Sequence, residues 1–306
     1  MKKNIVVLCS KEEFSVEQLS KLDFSGQVSF VNSKSESSLE DLIKLSKNAD
    51  IIGFSPDKIG KSASEWLFQI LEKSPNVKGL ALNTISSDYI DENYCKERGI
   101  RVFTVPDYKA EAVAEHVLLF LLGSAKRAFI NERRTYRRKY KPELGFEIAG
   151  KRLGIVGSDL TAQKVARLAK GLGMAVYATA RFEDVYRQEL DGLLRDSDFI
   201  SIHLPNTEEN KKFLNKERIS RLKQNAIVIN LAGREIVDER EMSKSLLSGS
   251  VSQYLFESES MNKSPLEDIE TALMFKPYSG LTREAQERNK YWWVRSIANL
   301  AGVPTS

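Results

Sequence analysis

One short segment constrains the fold of this chain more than any other. Residues 151–162 have the sequence KRLGIVGSDLTA, which is an apolar run, a glycine turn and the start of a helical pattern. A buried strand followed directly by such a turn and a helix is typical of dinucleotide-binding α/β units, where the helix N-terminus faces a diphosphate. The segment therefore predicts a Rossmann-type unit.

The glycine pattern of this turn is altered at one position. The first glycine position holds Gly157 and the third holds Ala162, and both suit a tight turn and close helix packing. The middle position holds Asp159, where glycine normally lets the backbone approach the phosphates. A carboxylate there adds bulk and negative charge, unless its side chain turns outward and caps the helix. The other residues of this predicted cofactor turn are Ser158, Leu160 and Thr161.

The end of the next predicted strand bears on the choice of cofactor. An acidic residue about 20 positions after the turn normally binds the ribose hydroxyls of NAD. Residues 177–181 are YATAR and contain no acid. Arg181 suits the 2′-phosphate of NADP, although a surface arginine explains it equally well. We expect NADP or NAD, with NADP slightly favoured, and the alternative of no cofactor stays open.

Strand and helix patterns alternate along the chain, which favours parallel sheets covered by helices. A helix is predicted from about Lys109 to Tyr140, with a kink at Gly123 and Ser124, and another from Thr282 to Leu300. Shorter helices are predicted at 38–47 and 64–73. The predicted strands are 5–8, 28–31, 51–55, 77–82, 101–106, 153–156, 175–179, 199–203, 226–230 and 251–256.

Composition excludes several classes of protein. The 306 residues suggest one large domain or two moderate ones, and 42% are apolar, but no apolar run approaches the ~20 residues of a membrane span. The N-terminus looks like a first strand and not a signal peptide. Cys9 and Cys95 lie in segments that look buried, which favours a reduced, cytoplasmic setting. Two cysteines and two histidines offer no metal-ligand spacing.

The net charge of +4 is a small excess of 46 basic over 42 acidic residues. One basic cluster stands out, and a solvated or subunit-contacting helix end explains it better than nucleic acid does. Its members are Arg127, Arg133, Arg134, Arg137, Arg138, Lys139 and Lys141. We expect neither a nucleic acid nor a membrane as a partner.

Further segments make the resemblance to a known family specific. They are GIRV at 99–102, AVAEH at 112–116, AKGLGM at 169–174, IHLPNT at 202–207 and VINLAGREIVD at 228–238. With the turn described above, they resemble the D-isomer-specific 2-hydroxyacid dehydrogenases over nearly the whole chain. The resemblance implies a flavodoxin-like substrate domain of residues 1–100 completed by 281–306. It also implies a Rossmann domain at 101–280, an active site in the cleft, a small-molecule substrate and a homodimer built by the helix after Lys109.

The same resemblance implies which residues carry the chemistry. The family uses an arginine for the substrate, a histidine for the proton and a glutamate that tunes the histidine. Here the arginine position holds Gly233, with Arg234 one residue later, and Tyr278 replaces the histidine. The glutamate is retained as Glu259. The chain's two histidines, His116 and His203, match non-catalytic positions.

The remaining predicted site residues also come from the resemblance. Tyr254 replaces the family's aspartate that contacts the nicotinamide amide, and the substrate-binding loop contains Thr84, Ile85 and Ser86 without glycine. Further cofactor contacts are predicted at His203, Pro205, Thr207, Leu231, Ala232, Gly233 and Gly280.

Three functions fit these residues. The first is an NAD(P)-dependent oxidoreductase with an atypical substrate, in which Tyr278 supplies the proton and Arg234 binds an anion. The second is a catalytically inactive relative that binds a ligand or partner. The third is a nicotinamide-independent lyase or isomerase that uses Tyr278, Glu259 and Arg234 as a new acid–base set.

Overall fold

The computed structural model describes residues 2–31, 38–56 and 62–303. The chain divides into two compact units: unit 1, Met1–Lys109 with Arg283–Ser306, and unit 2, Ala110–Thr282. Each unit has its own parallel sheet. The border differs from the predicted one at residues 100 and 101, because the strand Arg101–Phe103 pairs within the sheet of unit 1.

Unit 1 is a five-stranded sheet with helices. Its strands are β1 Lys3–Ser10, β2 Gly26–Val31, β3 Ile51–Phe54, β4 Gly79–Leu82 and β5 Arg101–Phe103. Its helices are α1 Val16–Ser25, α2 Leu39–Ser46, α3 Ala63–Glu72, α4 Glu92–Glu97 and the C-terminal helix Arg283–Ala301. The strand order β2-β1-β3-β4-β5 is the flavodoxin-like order that the resemblance implied. The C-terminal helix is tied to the sheet by Trp293, whose indole N–H donates to the carbonyl of Ala81 at 2.9 Å.

Unit 2 is a seven-stranded parallel sheet in the order β12-β11-β10-β9-β6-β7-β8. Its strands are β6 Arg152–Gly157, β7 Ala175–Ala178, β8 Tyr186–Arg187, β9 Phe199–His203, β10 Ala226–Asn230, β11 Val251–Glu257 and β12 Ala272–Phe275. Its helices are α5 Ala110–Ala125, α6 Ala128–Tyr136, α7 Leu160–Gly171, α8 Leu190–Asp196, α9 Lys216–Ser220 and α10 Glu239–Ser248. The order reverses between β6 and β9, which is the point where Rossmann folds bind their ligands. The predicted Rossmann-type fold is confirmed.

The long helix predicted from Lys109 to Tyr140 is two helices. The break falls at Arg127, whose backbone φ of +54° is left-handed, and not at the predicted Gly123 and Ser124. Gly123 instead makes room within α5, because a Cβ there would lie 2.4 Å from the ring of Phe129. In the basic cluster, the guanidinium of Arg134 is held by Glu143 and Glu270 at 2.7 and 2.6 Å.

The described residues contain neither a membrane-spanning helix nor a cluster of metal ligands. No helix within 2–31, 38–56 and 62–303 is both long and apolar enough to cross a bilayer. In the same ranges, no three His, Cys, Asp or Glu side chains gather as a metal ion would require.

Candidate active site

The turn after β6 is built around Gly157. Its φ is +122°, and a Cβ on this residue would lie 2.1 Å from the carbonyl oxygen of His203, at the end of β9. The backbone N–H of Gly157 donates to the hydroxyl of Thr179 at 3.3 Å. Only glycine therefore lets β6 and β9 come together at the reversal of the strand order.

Asp159 caps the helix that follows this turn. Its Oδ1 accepts a hydrogen bond from the backbone N–H of Ala162 at 2.7 Å and lies 3.8 Å from Nδ1 of His203. Half of the carboxylate side chain is exposed, and partial burial raises its pKa. The N-terminus of α7 thus already carries a negative side chain that uses one of its free amides.

The other side of this turn is formed by His203, the last residue of β9. Its Nε2 lies 2.8 Å from the hydroxyl of Ser201, and the ring is almost wholly buried. Burial lowers the pKa of His203 to about 4, so the ring is neutral at pH 7. Its contact with Asp159 is therefore not an ion pair at neutral pH.

The other predicted cofactor residues of unit 2 differ in exposure. Thr161 is buried in α7, and Asn210 donates its side-chain N–H to the carbonyl of Pro205 at 2.9 Å and to the hydroxyl of Thr207 at 3.3 Å. The exposed ones are Ser158, Leu160, Arg181, Pro205 and Thr207, and the half-buried ones are Leu231, Ala232, Gly233 and Gly280.

The loop after β10 is held by hydrogen bonds to Asn230, the last residue of that strand. Asn230 donates to the carbonyl of Gly233 at 2.7 Å and to the hydroxyl of Tyr254 at 3.1 Å, and it accepts from the N–H of Ala232 at 3.1 Å. Gly233 has a φ of +145°, and a Cβ there would lie 2.8 Å from Nδ2 of Asn206. A side chain at position 233 would require Asn206 to move.

Arg234, predicted to bind substrate, is engaged within unit 2. Its Nε and one terminal nitrogen each lie 2.7 Å from an oxygen of Glu239, and the other terminal nitrogen donates to the carbonyl of Ser260 at 2.6 Å. Hydrogen bonding to Glu239 raises the pKa of Arg234. This two-pronged pair neutralises the guanidinium, so the structure does not bear out Arg234 as an anion-binding residue.

Tyr254, predicted to contact the cofactor, lies in the core. Its ring stacks on Phe256 with centroids 4.6 Å apart, and burial raises the pKa of its hydroxyl. Alternation along β11 explains this placement. Tyr254 and Phe256 pack with Met242 of α10, whereas Leu255 faces the opposite side of the sheet.

Tyr278 is held by a carboxylate that the sequence did not predict. Glu257, the last residue of β11, accepts hydrogen bonds from the N–H groups of Tyr278 and Ser279 at 3.0 and 2.8 Å, and from the hydroxyl of Ser279 at 2.9 Å. The Tyr278 side chain remains open to ligands, since the residue is 41% exposed. Partial burial, with the charge of Glu257, raises the pKa of its phenol.

Glu259, the predicted catalytic glutamate, points elsewhere. Its side chain is 83% exposed and pairs with Lys276 at 3.3 Å. One signal could have indicated Glu257 instead: it ends a buried strand at the edge where parallel sheets bind ligands. The structure also places His116 beside Tyr278, with ring centroids 5.1 Å apart.

The predicted substrate loop of unit 1 follows β4. The hydroxyl of Thr84 donates to the carbonyl of Ser86 at 2.8 Å and lies 3.0 Å from the hydroxyl of Tyr89. Ile85 and Ser86 are exposed. At the start of the loop, Asn83 donates its side-chain N–H to the hydroxyl of Ser55 at 2.8 Å, and its backbone carbonyl accepts from the side chain of Asn289 at 3.1 Å.

Comparison with known proteins identifies the family. Residues 118–279 match the model of the NAD binding domain of D-isomer specific 2-hydroxyacid dehydrogenases. The chain belongs to this family. It is 32% identical over 220 residues to the hydroxypyruvate reductase of Thermotoga maritima, a match that covers 69% of this chain and 70% of that protein.

Other relatives support membership of the dehydrogenase family. The chain is 32% identical over 195 residues to the glyoxylate reductase of Korarchaeum cryptofilum, and the match spans only 59% of either protein. The crystal structure of a glyoxylate reductase from Paecilomyes thermophila matches with a TM-score of 0.78 and 20% identity, over 96% of this chain and 94% of that one. This structural likeness shows the fold.

The backbone of the turn after β6 suits the nicotinamide dinucleotide that the family binds. Gly157 allows the tight turn, and the fully buried Ala162 allows α7 to pack closely. The charge fits less well, because the Asp159 carboxylate stands where the diphosphate would meet the helix. These residues would hold the cofactor against an unfavourable local charge.

Proposed function

We propose that this member of the dehydrogenase family is an NAD(P)-dependent oxidoreductase that reduces a small carbonyl compound. Tyr278 is the proton donor in this proposal, in place of the histidine that the family resemblance implies. The observation that carries it is the phenol of Tyr278, open to ligands while Glu257 fixes the backbone beneath it.

The proton chemistry follows from the surroundings of Tyr278. When bound, the reduced nicotinamide would supply the hydride, and negative charge would develop on the carbonyl oxygen of the substrate. The phenol of Tyr278 donates a proton to that oxygen. Because its pKa is raised, the phenol is protonated at neutral pH and is a poor base. The arrangement therefore favours reduction over oxidation.

The substrate is an atypical one in this proposal. Gly233 has no side chain, and the guanidinium of Arg234 is neutralised by Glu239. A substrate carboxylate would therefore lack the arginine on which the family relies. We propose a carbonyl compound whose binding depends less on a carboxylate.

For the cofactor, we propose NADP over NAD. Arg181 is exposed three residues beyond the end of β7, where a 2′-phosphate is bound in Rossmann folds, and no acid stands there to bind ribose hydroxyls. We also propose a homodimer, supported by the exposed Leu119 and Leu122 on α5. A cytoplasmic location is supported by Cys9 and Cys95, which are buried and form no disulfide.

The test is turnover of NADPH and NADH, followed by absorbance, with a panel of carbonyl compounds. The panel includes glyoxylate and hydroxypyruvate, which the relatives' names suggest, and neutral aldehydes. Tyr278→Phe is expected to lower kcat on the order of 10²-fold or more with little change in KM. The control Tyr136→Phe, at an exposed tyrosine of α6, should leave kcat unchanged. Equal rates for wild type and Tyr278→Phe would contradict the proposal.

A second candidate is a ligand-binding protein without hydride transfer, favoured by the carboxylate of Asp159 at the N-terminus of α7. Calorimetry with the oxidised and reduced forms of NAD and NADP separates the two. Absence of binding by all four would favour this candidate, or a nicotinamide-independent reaction that uses the same side chains.

A further inference from the structure

We propose that His116 acts through Tyr278 as a positioning residue, taking up the phenolic proton and returning it. This inference rests on the proposed function of Tyr278. It assigns a role to a histidine of α5 that the family resemblance places among non-catalytic positions. His116 and Glu257 would together restore a histidine–glutamate pair behind the tyrosine.

The first observation is the packing of the imidazole. The ring of His116 lies edge-on to the ring of Tyr278, at 5.1 Å between centroids and 88° between planes. Phe120 packs at 4.5 Å and Phe275 at 6.4 Å. The phenol is thus the one polar group among the three rings packed against His116.

The second observation is an unsatisfied atom. His116 is 8% exposed, and its Nε2 is buried without a hydrogen-bond partner among the described residues. A buried polar nitrogen without a partner is unfavourable, because it has lost its hydrogen bonds to water. Among the three rings packed against His116, only that of Tyr278 carries a group that could bond to this nitrogen.

The third observation concerns charge. Burial lowers the pKa of His116, so its ring is neutral at pH 7 and can accept a proton. The carboxylate of Glu257 acts in the opposite sense and raises that pKa. An imidazolium formed in the step would therefore be stabilised by a carboxylate that also holds the Tyr278 backbone.

The proton balance closes in both directions. In oxidation, the substrate hydroxyl passes its proton to the oxygen of Tyr278 as the phenolic proton moves to Nε2 of His116. The oxidised nicotinamide, when bound, would take the hydride. In reduction, the phenol protonates the substrate oxygen, and His116 passes a replacement proton from solvent to the oxygen of Tyr278.

The decisive experiment uses the full chain and needs no substrate. Tyrosine labelled with ¹³C at Cζ is followed by NMR from pH 4 to 8, and the Tyr278 signal is assigned with Tyr278→Phe. In the wild type, we expect this signal to move with the titration of His116, and we expect His116→Gln to abolish that movement. The only other histidine provides the control, since His203→Asn should leave the movement intact.

A second variant and a kinetic measurement test the same inference independently. His116→Phe, which suits the aromatic cluster, replaces His116→Gln if the glutamine variant does not fold. With a substrate in hand, either variant should lower kcat for oxidation on the order of 10²-fold and remove the acidic limb of its pH profile, with KM nearly unchanged. A Tyr278 signal indifferent to His116, or an unchanged pH profile, overturns the inference. Absence of turnover tests only the proposed function, because the NMR result stands by itself.

Discussion

The charge of Asp159 should weaken the binding of a nicotinamide dinucleotide. Asp159→Asn tests this, because asparagine is as good an N-cap as aspartate and keeps the hydrogen bond to the N–H of Ala162 while removing the charge. Asp159→Gly removes the charge and the cap together, which restores the residue usual in this turn. The pair separates the electrostatic cost from the loss of the cap.

The size of the effect follows from the exposure of the carboxylate. Two unit charges about 6 Å apart repel by roughly 3 kcal/mol at an effective dielectric of 20 and by about 1 kcal/mol at 60. Half of the Asp159 side chain is exposed, so the weaker value applies. Removing the charge should therefore tighten binding of NADPH about fivefold at low salt, and less at high salt.

The affinity for the dinucleotide should change with pH in a definite direction. Partial burial raises the pKa of Asp159, so the carboxylate becomes neutral as the pH falls towards that raised value. Wild-type affinity should rise in that direction relative to Asp159→Asn, which has no charge to lose. Calorimetric titration at two pH values measures the difference, with Glu267→Gln, an exposed acid of unit 2, as control. Equal affinities for the wild type and both Asp159 variants would refute the reasoning.

Two further predictions concern stability. Gly157→Ala should destabilise unit 2 by about 3 kcal/mol or more in denaturant unfolding, because its φ is +122° and the new Cβ meets a carbonyl oxygen. Gly171→Ala, whose Cβ would enter open space at the end of α7, should change stability by no more than about 0.5 kcal/mol. Equal losses would contradict the steric argument. For His203, the folded pKa of about 4 lies below the ordinary 6.5, so the fold favours the neutral ring. The buried neutral ring therefore contributes to the free energy of unfolding, and up to ~3 kcal/mol of this contribution is lost as the pH falls from 6.5 towards 4. In His203→Asn, the free energy of unfolding should fall by that much less over the same pH range. An unchanged dependence on pH would show that His203 is not its source.

The fold was predictable where strands are buried on both faces. Every residue of β9 and β10 is buried and most of them are apolar, and such segments are recognisable in the sequence. β8 was not predicted, because its two residues, Tyr186 and Arg187, are exposed and form no apolar run. Gly123 was mistaken for a kink, since sequence alone does not tell whether a glycine provides a backbone angle or space for a neighbour.

The site was predictable by position more than by orientation. Glu257 and Glu259 are two residues apart. Hydrogen bonds from the backbone of the Tyr278 loop decide which of the two carboxylates lies beneath Tyr278, and these bonds cannot be read from the sequence. Likewise, Arg234 has the right chemistry for an anion, but the pairing with Glu239 is a tertiary contact between a loop and the first turn of α10.

The charges at the carboxyl edge of the unit 2 sheet disfavour a carboxylate substrate. Asp159 stands at the helix that would meet a diphosphate, and Glu257 lies beneath Tyr278. The nearby cation of Arg234 is neutralised by Glu239. The two carboxylates lower the affinity for an anion, and burial together with the charge of Glu257 keeps the phenol protonated. A carbonyl reductase with a weakly anionic or neutral substrate uses such an edge to advantage, because a protonated donor is what reduction requires. A dehydrogenase of hydroxy acids would need the opposite on both counts: a free cation for the carboxylate and a ready base for the hydroxyl. The electrostatics therefore favour reduction for the same reason that they disfavour a carboxylate substrate.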